Sequence, residues 1–281
     1  MNENVEFRSP DVAIPRSLSE IAELVGSTVW VTLSRPEKAN ALDVATLEAL
    51  LTTLDAAERT PEARVLVLSG AGRNFCAGAD LMALRAGGPE GIRHLLELIK
   101  DFTTRLERSR LTVVAAVHGA ARAGGLELTL ACDVVLAARS ATFGDAHLAN
   151  GLLPGGGSTA RLPRTVGWQR AKWLILSAAS IDAVTACDWG LVFEVVEDGD
   201  LNSAVRRLAD RLTHIDSATV QRAKRLLSMV GEQPLSASLE AEITTLEAHC
   251  HSTAFRHGID RFLCGGRARI DGDPVGPEDQ G

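Results

Sequence analysis

The residues most able to do chemistry lie in three short stretches. FGDAHLANGLLPGGGST, Phe143 to Thr159, reads as the end of a strand, a turn and a glycine-rich approach to a helix, with His147 in its middle. An imidazole there can serve as an acid or base near neutral pH, hold a ligand, or fill a core position. The other two stretches are glycine-containing turns, GAGRNFCAGADL from Gly70 to Leu81 and HGAARAGGLELTLACD from His118 to Asp133. Each follows an apolar run and precedes helical sequence. Small residues let a ligand approach the backbone closely, and free N–H groups at a helix start attract negative charge. Two such turns side by side could aim two N–H groups at one oxygen, which is what an enolate or a tetrahedral oxyanion requires. Taken singly, each is more often an ordinary turn. Neither is a phosphate loop, because no GxxxxGK[ST] occurs and GAARAGG does not fit GxGxxG.

The elements that must position these turns follow from hydrophobic pattern. STVWVTLSRP reads as a strand stopped by Arg35-Pro36. Asp43 is a plausible N-cap for a helix with Val44, Leu47, Leu51 and Leu54 at helical spacing. ARVLVLSG, LTVVAAVHG and CDVVLAA are apolar runs of the kind a buried strand shows. GIRHLLELIKDFTTRLERS is an amphipathic helix. Alternating strands and helices argue for a layered α/β fold. After Leu201 the strands stop and helical sequence takes over, giving a flexible tail over 1–18, an α/β core over 19–200, a helical C-terminal region over 201–265 and a second flexible tail over 266–281.

Composition bounds the function. The chain has 281 residues, 46% hydrophobic, enough for one large domain with an appendage. Lys+Arg 29 against Asp+Glu 36 leaves a net charge of −7, and without a basic run nucleic acid is a poor partner. Five widely spaced cysteines with no CxxC pair favour buried thiols in a reducing compartment over disulfides or a metal site. The polar N-terminus lacks the apolar core of a signal peptide, and no apolar run approaches a membrane span. The expectation is a cytoplasmic protein that uses neither metal nor membrane.

RPEKANAL, FCAGADL, AAVHGAARAGGLELTLACD, FGDAHLANGLLPGGGSTARLPR and ACDWGLV, in this order, resemble the enoyl-CoA hydratase/isomerase family of the crotonase superfamily. The similarity runs from about Thr28 to Leu263. It implies a crotonase-like α/β fold of repeated ββα units, with a helical C-terminal region that makes a homotrimer or a dimer of trimers. It also implies an acyl-CoA thioester ligand, with coenzyme A as part of the substrate and no separate cofactor. By motif position the backbone N–H groups of an oxyanion hole fall on Ala79 and Gly124. Lys38, Ala39, Ala77, Gly78, Asp80 and Leu81 fall in the substrate- and CoA-binding segments.

The first of the two glutamates used by family hydratases matches Glu127, whose LELTLAC surroundings are apolar, and a carboxylate in such a run needs a reason. The position of the second, counted back from Pro154, holds His147 instead. Family isomerases rely on that second glutamate, so simple isomerisation is disfavoured. The 6-oxocamphor hydrolase type carries a histidine in this loop but lacks the first glutamate, and it uses an aspartate where this chain has Gly156. Arg122 stands where the family has an aliphatic residue. It could read a carboxylate on the acyl group, although an outward, solvated side chain is the first expectation. Asp145 could orient an imidazole or form a turn. The resemblance therefore implies hydration of a 2-enoyl-CoA through Glu127, with two alternatives: a thioester or β-keto C–C hydrolase using His147 as base, and a non-catalytic acyl-CoA-binding paralogue.

Overall fold

The computed structural model describes residues 16–230 and 232–264. The chain divides into two compact units, Met1–Ser217 and Ala218–Gly281.

In the first unit a seven-stranded sheet runs in the order β1-β2-β3-β4-β5-β7-β10. Its strands are β1 (Arg16–Ser19), β2 (Ala22–Val25), β3 (Thr28–Leu33), β4 (Val65–Gly70), β5 (Thr112–Val117), β7 (Val134–Ala138) and β10 (Glu194–Val196). The first three pair antiparallel, and β3 through β10 pair parallel. The parallel strands read as continuous apolar runs because both faces are covered. On one face Val29, Val31, Leu66, Leu68, Val113, Ala115 and Val135 meet α1 (Val44–Arg59) and α2 (Leu81–Arg108). On the other, Trp30, Val65, Val67, Val114, Ala116 and Leu136 meet α7 (Leu201–Thr213) through Leu201, Ala204, Val205 and Ala209.

A second, three-stranded sheet is made by β6 (Ala120–Arg122), β8 (Thr142–Gly144) and β9 (Ile181–Asp182). β5–β6 leads into α3 (Gly124–Leu130), and β7–β8 leads into α4 (Ser158–Val166), so the same strand–strand–helix unit occurs twice. In each, the first strand joins the large sheet and the second joins the small one, and the turn that follows the second strand carries the chemistry-bearing residues. α5 (Trp168–Ser177) and α6 (Ala183–Asp188) complete this unit. Asp43 caps α1 as expected, accepting from Thr46 N at 2.8 Å. α2 begins directly after the AGAD turn and is broken by Gly88 at φ 58°, just before Pro89.

The structure corrects two boundaries. Residues 16–18, expected in the tail, belong to β1 and pair with β2; a polar RSLS edge strand gives little hydrophobic signal. The rest of the expected tails lies outside the described residues. α7, expected in the helical C-terminal region, instead covers the second face of the sheet, and the compact units divide after Ser217. Among the described residues, the second unit holds α8 (Ser217–Met229, but for its first residue), α9 (Leu235–Cys250) and α10 (Thr253–Leu263). Leu235, Leu239, Ile243 and Leu246 form an exposed apolar stripe along α9.

Candidate active site

The two glycine-containing turns are brought together by an irregular ribbon. Cys76 N donates to Ala120 O (3.1 Å) and Cys76 O accepts from Arg122 N (2.9 Å), which lays the first turn along β6. On its other side, Ala77 N donates to Ala39 O (2.9 Å), Leu42 N to Gly78 O (2.7 Å) and Asp80 N to Leu42 O (2.8 Å). The Ala39–Leu42 and Ala77–Asp80 segments are thus zipped together. Gly78 adopts φ 99°, and Gly124 lies so close that its own Cβ would stand 3.2 Å from Gly78 Cα and 3.5 Å from Ala79 N. A side chain at either glycine would force the turns apart. Gly124 opens α3, where N–H groups have no intrahelical acceptor. Ala79 N and Gly124 N have no hydrogen-bond acceptor among the described residues.

Glu127 lies one turn into α3 and is 2% exposed. Its Oε1 accepts two backbone hydrogen bonds, from Gly156 N at 2.8 Å and Ser158 N at 3.0 Å. The apolar run around Glu127 therefore holds a carboxylate satisfied by amides of a loop far along the chain. Gly156 is required by this arrangement, because a Cβ there would stand 2.5 Å from Glu127 Oε2 and 2.6 Å from Ile99 Cγ2. The loop is held in turn by Arg161, whose Nη1 donates to Gly156 O at 2.8 Å. The same guanidinium grips Glu107 of α2 with Nε (2.7 Å) and Nη2 (2.9 Å).

His147 follows β8, and its side chain is 12% exposed. Nδ1 lies 3.0 Å from Oδ1 of Asp145, which is fully buried. Burial pulls the His147 pKa down, but the Asp145 hydrogen bond and charge, with the Glu127 charge added, win and leave it raised. For Asp145 burial acts upward, but the His147 hydrogen bond and the nearby Ser158 hydroxyl hold the carboxyl below its usual range. Glu127, His147 and Asp145 thus form one cluster.

The remaining expected residues fall in two groups. Lys38 is exposed at the end of a short 3-10 turn, Pro36–Lys38, and Ala39 follows it in the left-handed region at φ 49°. Leu81 is exposed at the start of α2. The Asp80 side chain is committed to structure: it caps α2 through Met82 N (3.0 Å) and Ala83 N (3.3 Å), and it pairs with Arg35 at 2.9 Å. The Arg35 hydrogen bond in particular holds the Asp80 carboxyl below its usual range. Arg122 corrects the expectation of a solvated side chain. It is half-buried and donates to Thr142 Oγ1 at 3.3 Å. It also lies across Gly144, where a Cβ would meet its Nη1 at 2.5 Å, so the glycine makes the inward course possible.

Sequence reasoning missed Gly156 and Ser158 as donors, and Arg161 and Glu107 as their support. Backbone donors leave no mark in residue type. The one available signal was PGGGSTARLPR itself, glycines followed by a basic residue. Burial raises the Cys76 thiol to about 12, which makes it inert although it lies beside the ribbon. No three or more His, Cys, Asp or Glu side chains are placed so that they could hold a metal ion among the described residues.

Fold and site define the class as the crotonase superfamily. The Enoyl-CoA hydratase/isomerase family model matches residues 24–269. A probable enoyl-CoA hydratase from Rhodobacter capsulatus is 39% identical over 236 residues, covering 83% of this chain and 90% of its own. A 2,3-dehydroadipyl-CoA hydratase from Escherichia coli is 36% identical over 240 residues, covering 83% of this chain and 91% of its own. The crystal structure of an enoyl-CoA hydratase from Bacillus anthracis superposes with a TM-score of 0.81 at 34% identity, over 91% of this chain and 95% of that one. The chain belongs to the enoyl-CoA hydratase/isomerase family.

Proposed function

We propose that this enzyme hydrates a 2-enoyl-CoA thioester to the 3-hydroxyacyl-CoA. The observation that carries the reading is the buried Glu127 carboxylate, fixed by two backbone amides one helical turn beyond the free amide of Gly124. The thioester carbonyl oxygen sits between the N–H groups of Ala79 and Gly124. Glu127 takes a proton from water as the oxygen of that water attacks C3. The electron pair of the C2–C3 double bond moves onto the thioester oxygen as an enolate, which the two amides stabilise. His147 then protonates C2. The raised His147 pKa suits a proton donor.

The relatives support a CoA thioester as substrate, since the names of the two curated relatives are those of enoyl-CoA and dehydroadipyl-CoA hydratases. Exposed Lys38 beside the Ala39–Leu42 ribbon is suited to the CoA phosphates. The apolar stripe of α9 is suited to assembly into a trimer or a dimer of trimers.

The test is Glu127→Ala, assayed by loss of enoyl-thioester absorbance. Removal of the general base is expected to lower kcat by about 10²–10⁴-fold. Turnover near that of the unmodified enzyme would remove Glu127 from the mechanism.

A further inference from the structure

Asp145 Oδ2 and Ser158 Oγ are both buried and make no hydrogen bond of good geometry among the described residues, although the Ser158 hydroxyl is near enough to the Asp145 carboxyl to favour its charged form. The other Asp145 oxygen, Oδ1, faces both the His147 ring at 3.0 Å and the His147 backbone N–H at 3.4 Å. An aspartate needed only for a turn would remain at the surface. This one has no exposed area, and burying a carboxylate is costly unless a partner matches its charge. The backbone bears a further cost. Ala146 takes φ 57°, a left-handed conformation that alanine seldom adopts. That turn folds the imidazole back onto the carboxylate two residues before it. Strain and burial together point to selection of the Asp145–His147 contact itself.

We propose that Asp145 is the positioning residue of the acid–base pair: it holds the Nδ1–H of His147 and so makes Nε2 the nitrogen that exchanges protons with substrate. The inference rests on the hydration reading and assigns the proton path within it. In the forward direction the Nε2–H bond breaks as the C2–H bond forms, leaving a neutral ring whose Nδ1–H still donates to Asp145. Glu127 meanwhile holds the proton taken from water. The cycle closes when that proton returns to Nε2, directly or through a water molecule, so the protons balance without a further reactant. The charged groups acting on the ring are Asp145, from the end of β8, and Glu127, from α3. Ser158 joins them, its N–H on Glu127 and its hydroxyl near Asp145.

The test uses Asp145→Asn, which keeps the shape and removes the charge, in full-length enzyme labelled with ¹⁵N-histidine. His147 of the unmodified enzyme is expected to show a neutral form protonated at Nδ1, with a titration midpoint at least about one pH unit above that of the variant. Steady-state kinetics of the variant should show kcat lowered about tenfold or more above neutral pH, KM within about twofold, and the alkaline limb of the kcat profile moved to lower pH. In a His147→Ala background the same substitution should have no further effect. An unchanged His147 titration in Asp145→Asn, or an equal loss of kcat in the His147→Ala background, overturns the proposal. Because the titration is read without substrate, a shifted midpoint in an enzyme that fails to hydrate any enoyl-CoA upholds the Asp145–His147 pairing and overturns the hydratase reading instead.

Discussion

Gly156→Ala tests how tightly the carboxylate of Glu127 is held. Gly156 does not have a positive φ, so alanine is acceptable to the backbone, and any effect must come from the added methyl. That methyl would stand 2.5 Å from Glu127 Oε2 and 2.6 Å from Ile99 Cγ2. Ordinary carbon contacts need about 3.5 Å, so something must move by about 1 Å. Gly156 is also pinned through its carbonyl by Arg161, itself bound at two points to Glu107. The glutamate side chain is therefore the freer partner, and its displacement breaks the hydrogen bond from Gly156. Misplacing a catalytic group by about 1 Å costs roughly 10²-fold in rate, or about 2.7 kcal/mol of transition-state stabilisation. Steady-state kinetics on crotonyl-CoA should show a loss of that order in kcat with a small change in KM, while circular dichroism shows an intact fold. In a Glu127→Ala background the substitution should cost almost nothing in rate. A Gly156→Ala enzyme with unimpaired kcat would refute the reasoning. The same geometry gives a physical reason why an aspartate at this position and the buried glutamate exclude one another.

Arg161→Met should release the Gly156 carbonyl and lower kcat by about tenfold, more than it lowers the thermal midpoint of unfolding would account for; kcat unchanged in a folded variant would show that the loop holds itself. The pH profile of the unmodified enzyme follows from His147. Its pKa is raised, so the donor form persists above the ordinary histidine value of about 6.5 and is lost as pH rises through the raised value. The alkaline fall in kcat should therefore lie above about 6.5, and a fall at or below it would contradict the donor role. The stability supplied by the pair follows the same signs: the His147 part fades as pH rises through its raised pKa, and the Asp145 part fades as pH falls through its lowered one.

Much of the frame was legible in the sequence. β3, β4, β5 and β7 read clearly because a strand covered on both faces is a continuous apolar run, and α1 read clearly because Asp43 caps an amphipathic helix. α7 was misassigned because its amphipathic pattern reports that it packs, not against which sheet. β6 and β9, of three and two residues, are too short to show a period and were hidden in the turns they build, whereas β8 showed in the sequence only as the strand end at Phe143. The site divided along the same line. Glu127, His147, Ala79 and Gly124 were expected in the site by motif position; the structure pairs His147 with Asp145, lets the Glu127 charge act on His147, and brings the two turns into contact. The amides of Gly156 and Ser158 could not be placed, since any residue but proline supplies an N–H. Arg122 was expected to point outward because nothing in its own neighbourhood in sequence reveals the gap left by Gly144.

The most direct test of the central claim is the identity of the product. Purified enzyme is added to crotonyl-CoA and to a longer 2-enoyl-CoA, the enoyl-thioester absorbance is followed, and the products are analysed by mass. The expected result is loss of absorbance with gain of one water and no free coenzyme A. Release of free coenzyme A or of a cleaved acid, or tight binding of both thioesters with no turnover, would contradict it.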